Sequence, residues 1–102
     1  MIPLAKVKLI VDTYKTLEKE LASGSIDKKD FVKKSKEYSS IGEVINHAKG
    51  YLSFDKEKLE LKKIIEDKES DNEMVQLAKK ELNELLEKYK NYEKILRIYL
   101  LP

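Results

Sequence analysis

The final third of the chain carries apolar residues at Val75, Ala78, Leu82, Leu85, Tyr89, Tyr92, Leu96 and Tyr99. Steps of three and four alternate between them, which places all eight on one stripe of a single long helix. A stripe this narrow is stable only when other helices cover it, so the chain is constrained to an α-helical bundle or coiled-coil-like hairpins. The closing Leu100-Leu101-Pro102 is an unusually apolar stop. It reads as a domain junction, with the chain continuing into a larger multidomain protein of which residues 1–102 form one N-terminal helical domain.

With 41% apolar and 39% charged residues over 102 positions, the composition fits extended helices sharing a thin seam rather than a broad globular core. Only three glycines and two prolines are present, so few points exist at which helix is locally disfavoured. Pro3 suits a first helical turn, where its missing N–H would be unpaired anyway. Leu4, Val7, Val11, Tyr14, Leu17 and Leu21 then recur at helical spacing, and Ser23-Gly24-Ser25 supplies a glycine cap and a polar break. The first helix is expected over about residues 3–22.

Asp27 is a good N-cap for the second helix, with Asp30 adding negative charge at the positive end of its dipole. Its seam reads Phe31, Ser35, Tyr38, Ile41, Ile45, Ala48, Leu52, Leu59 and the pair Ile64 and Ile65, which predicts one helix over 28–68. Gly42 and Gly50 each weaken it by about 1 kcal/mol relative to alanine, and a kink is most expected near Gly50-Tyr51. Glu69-Ser70-Asp71 forms the second turn, and Asp71 caps the third helix over 72–99. Short turns make neighbours antiparallel. Helix one therefore lies along the first half of helix two and helix three along the second, in an elongated three-helix bundle. The three overlap centrally, where Ile41, Ile45, Ala48 and Leu52 should meet Leu4, Val7 and Val11 on one side and Tyr92, Leu96 and Tyr99 on the other.

The residues offer little chemistry. Cysteine is absent, which removes disulfides and thiol catalysis and fits a reducing compartment such as the cytoplasm. The longest apolar run is far short of the roughly 20 residues needed to cross a bilayer, so no membrane association is expected. His47 is the sole histidine and falls at the edge of the seam, where a structural role suits it better than catalysis. One imidazole and scattered carboxylates make a poor metal site, and neither a phosphate loop nor a small-molecule substrate site is legible. Five of the six tyrosines fall on predicted seams, Tyr51 being the exception, so buried rings with rim hydroxyls outrank base stacking. Glu84 with Lys88 and Glu93 with Arg97 are spaced as i,i+4 pairs on helix three.

A net charge of +2 is too balanced for a general nucleic-acid footprint. Lys28, Lys29, Lys33, Lys34 and Lys36 nevertheless cluster at the start of helix two, and Glu66, Asp67 and Glu69 surround the second turn. The basic tip could contact phosphates with salt-dependent affinity and the acidic tip a basic protein surface, while the plain reading of both is solvated turns.

Three segments carry a resemblance: Ser35-Lys36-Glu37-Tyr38-Ser39-Ser40-Ile41, the run from Asp71-Asn72-Glu73-Met74 through Glu81-Leu82, and the terminal Leu100-Leu101-Pro102. In order and spacing the whole chain resembles the N-terminal domain of the bacterial peptide chain release factor 1 family. The resemblance implies a part in translation termination, in which the complete factor reads UAA or UAG and triggers hydrolysis of peptidyl-tRNA. It also implies docking toward the stalk base of the large ribosomal subunit, and contacts with the recycling GTPase release factor and the release-factor glutamine methyltransferase. The family's Gly-Gly-Gln hydrolysis tripeptide and Pro-x-Thr codon reader are absent here, since the two prolines are Pro3 and Pro102. No catalytic residue or cofactor is therefore implied for this segment. Without the resemblance, the residues alone support a generic helical adaptor acting through protein contacts.

Overall fold

The computed structural model describes residues 1–102 and contains four helices: α1 Leu4–Ala22, α2 Lys28–Gly42, α3 Ile45–Glu66 and α4 Asn72–Leu100. Local capping chemistry sets most of these limits. The Asp27 carboxylate accepts from the Asp30 N–H at 2.9 Å, and Asp71 accepts from the Met74 N–H at 2.8 Å. Each satisfies one of the donors that a helix start leaves unpaired. At the end of α1 the Ser23 hydroxyl donates to the Glu20 carbonyl at 2.7 Å, and Gly24 takes a φ of +72°, the left-handed conformation that lets the chain turn back.

The long second helix expected over 28–68 is two helices, and the break is not at Gly50. It falls at Glu43-Val44, where the Glu43 N–H donates to the Ser40 carbonyl at 3.3 Å and the Val44 N–H to Ile41 at 2.9 Å. These i to i+3 bonds tighten the last turn and stop the α-helix, while Val44 opens α3 without a side-chain cap. Ile41, Val44, Ile45 and Ala48 are all buried, at the i, i+3, i+4, i+7 spacing of one helical face, so the apolar stripe runs on across the break and gives no sign of it in the sequence. Gly50 lies within α3, and it is needed there for close approach. A methyl group on it would come within 2.6 Å of Cζ and 2.9 Å of the hydroxyl of Tyr92 from α4.

α1 and α2 form one antiparallel hairpin and α3 and α4 a second; α2 and α3 scarcely touch beyond their joint, while α1 also packs on α3. The radius of gyration is 18.2 Å and the extents are 59 × 29 × 19 Å. A compact domain of this length would have a radius of about 13 Å, so the elongated, centrally overlapped shape expected from the helix lengths is present. Its core gathers Val7, Ile10 and Val11 from α1, Ile41 before the joint, Ile45, Ala48 and Tyr51 from α3, and Leu96 from α4. Val7, Ala48 and Leu96 are fully buried.

Several seam assignments shift. Leu4 is 48% exposed and Ile2, just ahead of the helix, fills the place assigned to it. Phe31 and Leu59 are likewise exposed, whereas Tyr51 and Phe54 are buried. The buried positions on α3 are 45, 48, 51 and 54, whose steps of three drift around the helix because α1 and α4 both pack against it, in place of the step from 48 to 52 that led on to Leu59. Tyr51, the tyrosine left off the seam, is the most buried of the six at 2% exposure. Its hydroxyl accepts from the Ile2 N–H and donates to the Ile2 carbonyl, both at 3.1 Å, and accepts from Tyr89 at 3.3 Å. Stacking of the Tyr51 and Tyr89 rings at 5.0 Å fastens the chain start to α3 and α4 together. Of the two expected ion pairs on α4, Arg97 with Glu93 forms at 2.8 Å; Glu84 and Lys88 do not pair.

Candidate interaction surface

The basic cluster lies on α2, whose sequence spacing sorts it into two faces. Lys29, Lys33 and Lys36 follow one another by four and three residues on a single exposed stripe, with Lys28 at its start. None of these four is within 4 Å of a carboxylate. Lys34 points the other way. It is paired with Glu20 of α1, and that partnership raises its pKa above the usual lysine value. The structure thus places Lys29, Lys33 and Lys36 on one free cationic strip, leaves Lys28 exposed beside it at the helix start, and turns Lys34 into an inter-helix contact. On the inner side of the same hairpin Tyr14 stacks on Tyr38 at 4.5 Å, and the Tyr38 hydroxyl donates to Glu18 at 3.0 Å. Its proton is held more tightly than an ordinary phenol's, by Tyr14 first and then by Glu18.

The acidic turn belongs to the other hairpin. Asp67 accepts from the Glu69 N–H at 2.9 Å, which orders the turn, and Glu66 ends α3. Because α2 and α3 separate beyond Glu43-Val44, the basic start of α2 and this acidic turn are the far ends of two different hairpins. The charges lie apart on the rod, as the sequence implies.

The remaining candidates are structural. His47 is half-buried with its ring edge-on to Tyr92 at 5.8 Å, and its Nδ1 is enclosed without a hydrogen-bond partner. No serine, carboxylate or second imidazole is in hydrogen-bond contact with it, so this histidine is a packing element of the α3/α4 contact. No three His, Asp or Glu side chains are grouped to share an ion. No helix is long and apolar enough to cross a membrane.

The surface carries a cationic stripe, an acidic turn and exposed helix faces on an elongated rod. The chain is 46% identical over 102 residues to peptide chain release factor 1 of Pelagibacter ubique, covering all of this chain and 29% of that relative. It is 38% identical over 101 residues to peptide chain release factor 1 of Chloroherpeton thalassium, covering 95% of this chain and 27% of the relative. With the corresponding factor of Clostridioides difficile the identity is 34% over 101 residues, covering 97% and 28%. No solved structure matches. The chain therefore spans a little over a quarter of the length of the curated relatives it matches. Residues 10–102 match the model of the PCRF domain, and the chain belongs to that family.

Proposed function

We propose that residues 1–102 are the N-terminal, non-catalytic domain of a class I peptide chain release factor, and that they dock the factor on the ribosome during termination at UAA and UAG. The observation that carries this reading is collinear similarity along the entire chain to proteins named peptide chain release factor 1, at up to 46% identity. The surface is consistent with a docking role, since its charged features are open and its aromatic residues are largely committed to packing. In this reading Lys28, Lys29, Lys33 and Lys36 face ribosomal RNA phosphates near the stalk base of the large subunit, and Lys34 is withdrawn by its pairing with Glu20. The recycling GTPase release factor and the release-factor glutamine methyltransferase are further partners in the cytoplasm.

The test is a domain exchange. Residues 1–102 replace the matching segment of the Pelagibacter factor, and peptide release is measured on ribosomes programmed with UAA, UAG or UGA. The chimaera should release peptide at UAA and UAG, and the isolated 102-residue chain should release none. A chimaera that folds but no longer binds ribosomes would sink the reading, as would stop-dependent release by the isolated chain. Reversing Lys29, Lys33 and Lys36 to glutamate in the chimaera should weaken ribosome binding and flatten its dependence on salt, because each lost phosphate contact removes about 0.7–0.9 from the logarithmic slope. An unchanged salt slope would leave this stripe without an RNA contact.

A further inference from the structure

Between α3 and α4, toward their connecting turn, runs an open groove of about 630 Å³. Its floor is apolar, with Leu61 and Ile64 from α3 and Leu85 from α4. Its rim is acidic: Glu57 and Glu60 on one helix face Glu81 and Glu84 on the other. None of the four carboxylates has a cation within 4 Å, although lysine is abundant in the chain and Lys88 lines the same groove. Met74 and Leu77, at 48% and 58% exposure, continue along α4 ahead of Glu81 at helical spacing. Apolar positions there extend past the part of the hairpin that α1 covers.

We infer that this groove is a docking site for a basic amphipathic helix of a protein partner. The chemistry selects the class of occupant. Helices bind grooves between helices by seating apolar anchors spaced three and four residues apart, and the floor offers aliphatic side chains along both walls. Cations flanking those anchors meet four carboxylates that have no ion-pair partner, which adds electrostatic complementarity to burial. Nucleic acid is disfavoured, because its phosphates would oppose the glutamates. A bare metal ion is disfavoured because no three of the carboxylates converge. This inference rests on the α3/α4 groove alone and is independent of the termination reading and of the basic stripe on α2.

The test uses the 102-residue chain with its methyl groups isotope-labelled. The probe is a blocked synthetic peptide of about five helical turns, composed of leucine and lysine with the leucines on one stripe. A peptide in which glutamate replaces every lysine is the comparison. The Leu61, Ile64 and Leu85 methyl resonances should shift on titration with the lysine peptide and not with the glutamate peptide. Combined Glu57→Gln, Glu60→Gln, Glu81→Gln and Glu84→Gln should weaken binding about tenfold or more. Neutralising Glu37, Glu43, Glu66 and Glu87 instead, an equal change of net charge, should weaken it less than about twofold. Equal weakening by the two sets would reduce the effect to bulk charge and overturn the proposal. Unmoved floor methyls in the unsubstituted protein would do the same without relying on any variant. Sedimentation showing dimers, with the floor methyls shifting as protein concentration rises and no peptide present, would replace the proposed partner by a second copy carrying its own Lys29, Lys33 and Lys36.

Discussion

Gly50 sits in the interior of α3, where alanine would ordinarily add about 1 kcal/mol of helix stability. Here the sign should reverse. An added methyl would lie 2.6 Å from Cζ and 2.9 Å from the hydroxyl of Tyr92, well inside van der Waals contact. The Tyr92 ring also lies edge-on to His47 at 5.8 Å, one turn earlier on α3, so moving it aside disturbs that part of the α3/α4 contact. Overpacking of this kind costs about 1–3 kcal/mol. Taking about 2 as the cost and about 1 as the helix gain, Gly50→Ala should lose about 1 kcal/mol, or about 4–8 °C in Tm for a domain of this size. The same substitution made in a Tyr92→Ala background should gain about 1 kcal/mol, because the obstructing ring is gone. The coupling between the two sites is then about 2 kcal/mol, measurable as a double-mutant cycle by urea and thermal unfolding at 222 nm. If Gly50→Ala stabilises the protein equally in both backgrounds, the close approach of Tyr92 is not what Gly50 accommodates.

Leu96→Ala should cost about 2–5 kcal/mol, since Leu96 is fully buried where α1, α3 and α4 meet, whereas Leu59→Ala, at 55% exposure, should cost less than about 1; urea midpoints that rank the two the other way would relocate the core. Tyr51→Phe keeps the ring but leaves the buried Ile2 N–H and carbonyl without their partner. It should destabilise by about 1–3 kcal/mol and speed amide exchange at Ile2, and an unchanged exchange rate would remove the hydroxyl from its fastening role. Tyr38 and Tyr89 both hold their protons above the ordinary phenol range, Tyr38 through Tyr14 and Glu18, Tyr89 through Tyr51 and then burial. A raised folded pKa means that the unfolded chain loses the proton first. The stability these groups contribute is therefore intact below about pH 10 and is lost progressively above it. Ultraviolet titration should show Tyr38 and Tyr89 ionising late, together with unfolding; their ionising near the ordinary phenol value in the folded protein would contradict the geometry.

The helix class, the two capped starts and the charge at the two turns were legible because each rests on residues close in sequence. Asp27 and Asp71 cap donors three residues away, and nothing distant decides that. The break between α2 and α3 was not legible for the opposite reason. Gly42 and Gly50 look alike in sequence, and both lower helix propensity by the same amount. What separates them is a ring from α4, some 40 residues downstream, packed against one and not the other. Expecting one helix over 28–68 with a kink near Gly50-Tyr51 follows local propensity where tertiary packing decides. The same limit applies to Lys34, which is indistinguishable from Lys33 until α1 presents Glu20. The acidic groove joins residues 57 and 60 to 81 and 84, and those faces meet only once the register of the α3/α4 hairpin is known.

Most buried residues gather at the middle of the rod, where Ile2, Val7, Ile45, Ala48, Tyr51 and Leu96 pack together, and the two hairpin ends are thinly covered. This distribution separates stability from recognition. The Lys29–Lys36 stripe and the Glu66-to-Glu69 turn lie outside the core cluster, so reversing their charge should leave the central packing intact and alter only what the tips attract. The groove is an intermediate case, because Leu85 is buried in its floor while Glu81 and Glu84 stand exposed above it. Neutralising the rim is therefore informative about binding, and truncating the floor is not, since it would weaken the hairpin as well. A rod of this design can accept different partners along its length without coupling them through the fold. Any cooperation between the basic end and the acidic groove would have to come from partners that touch both.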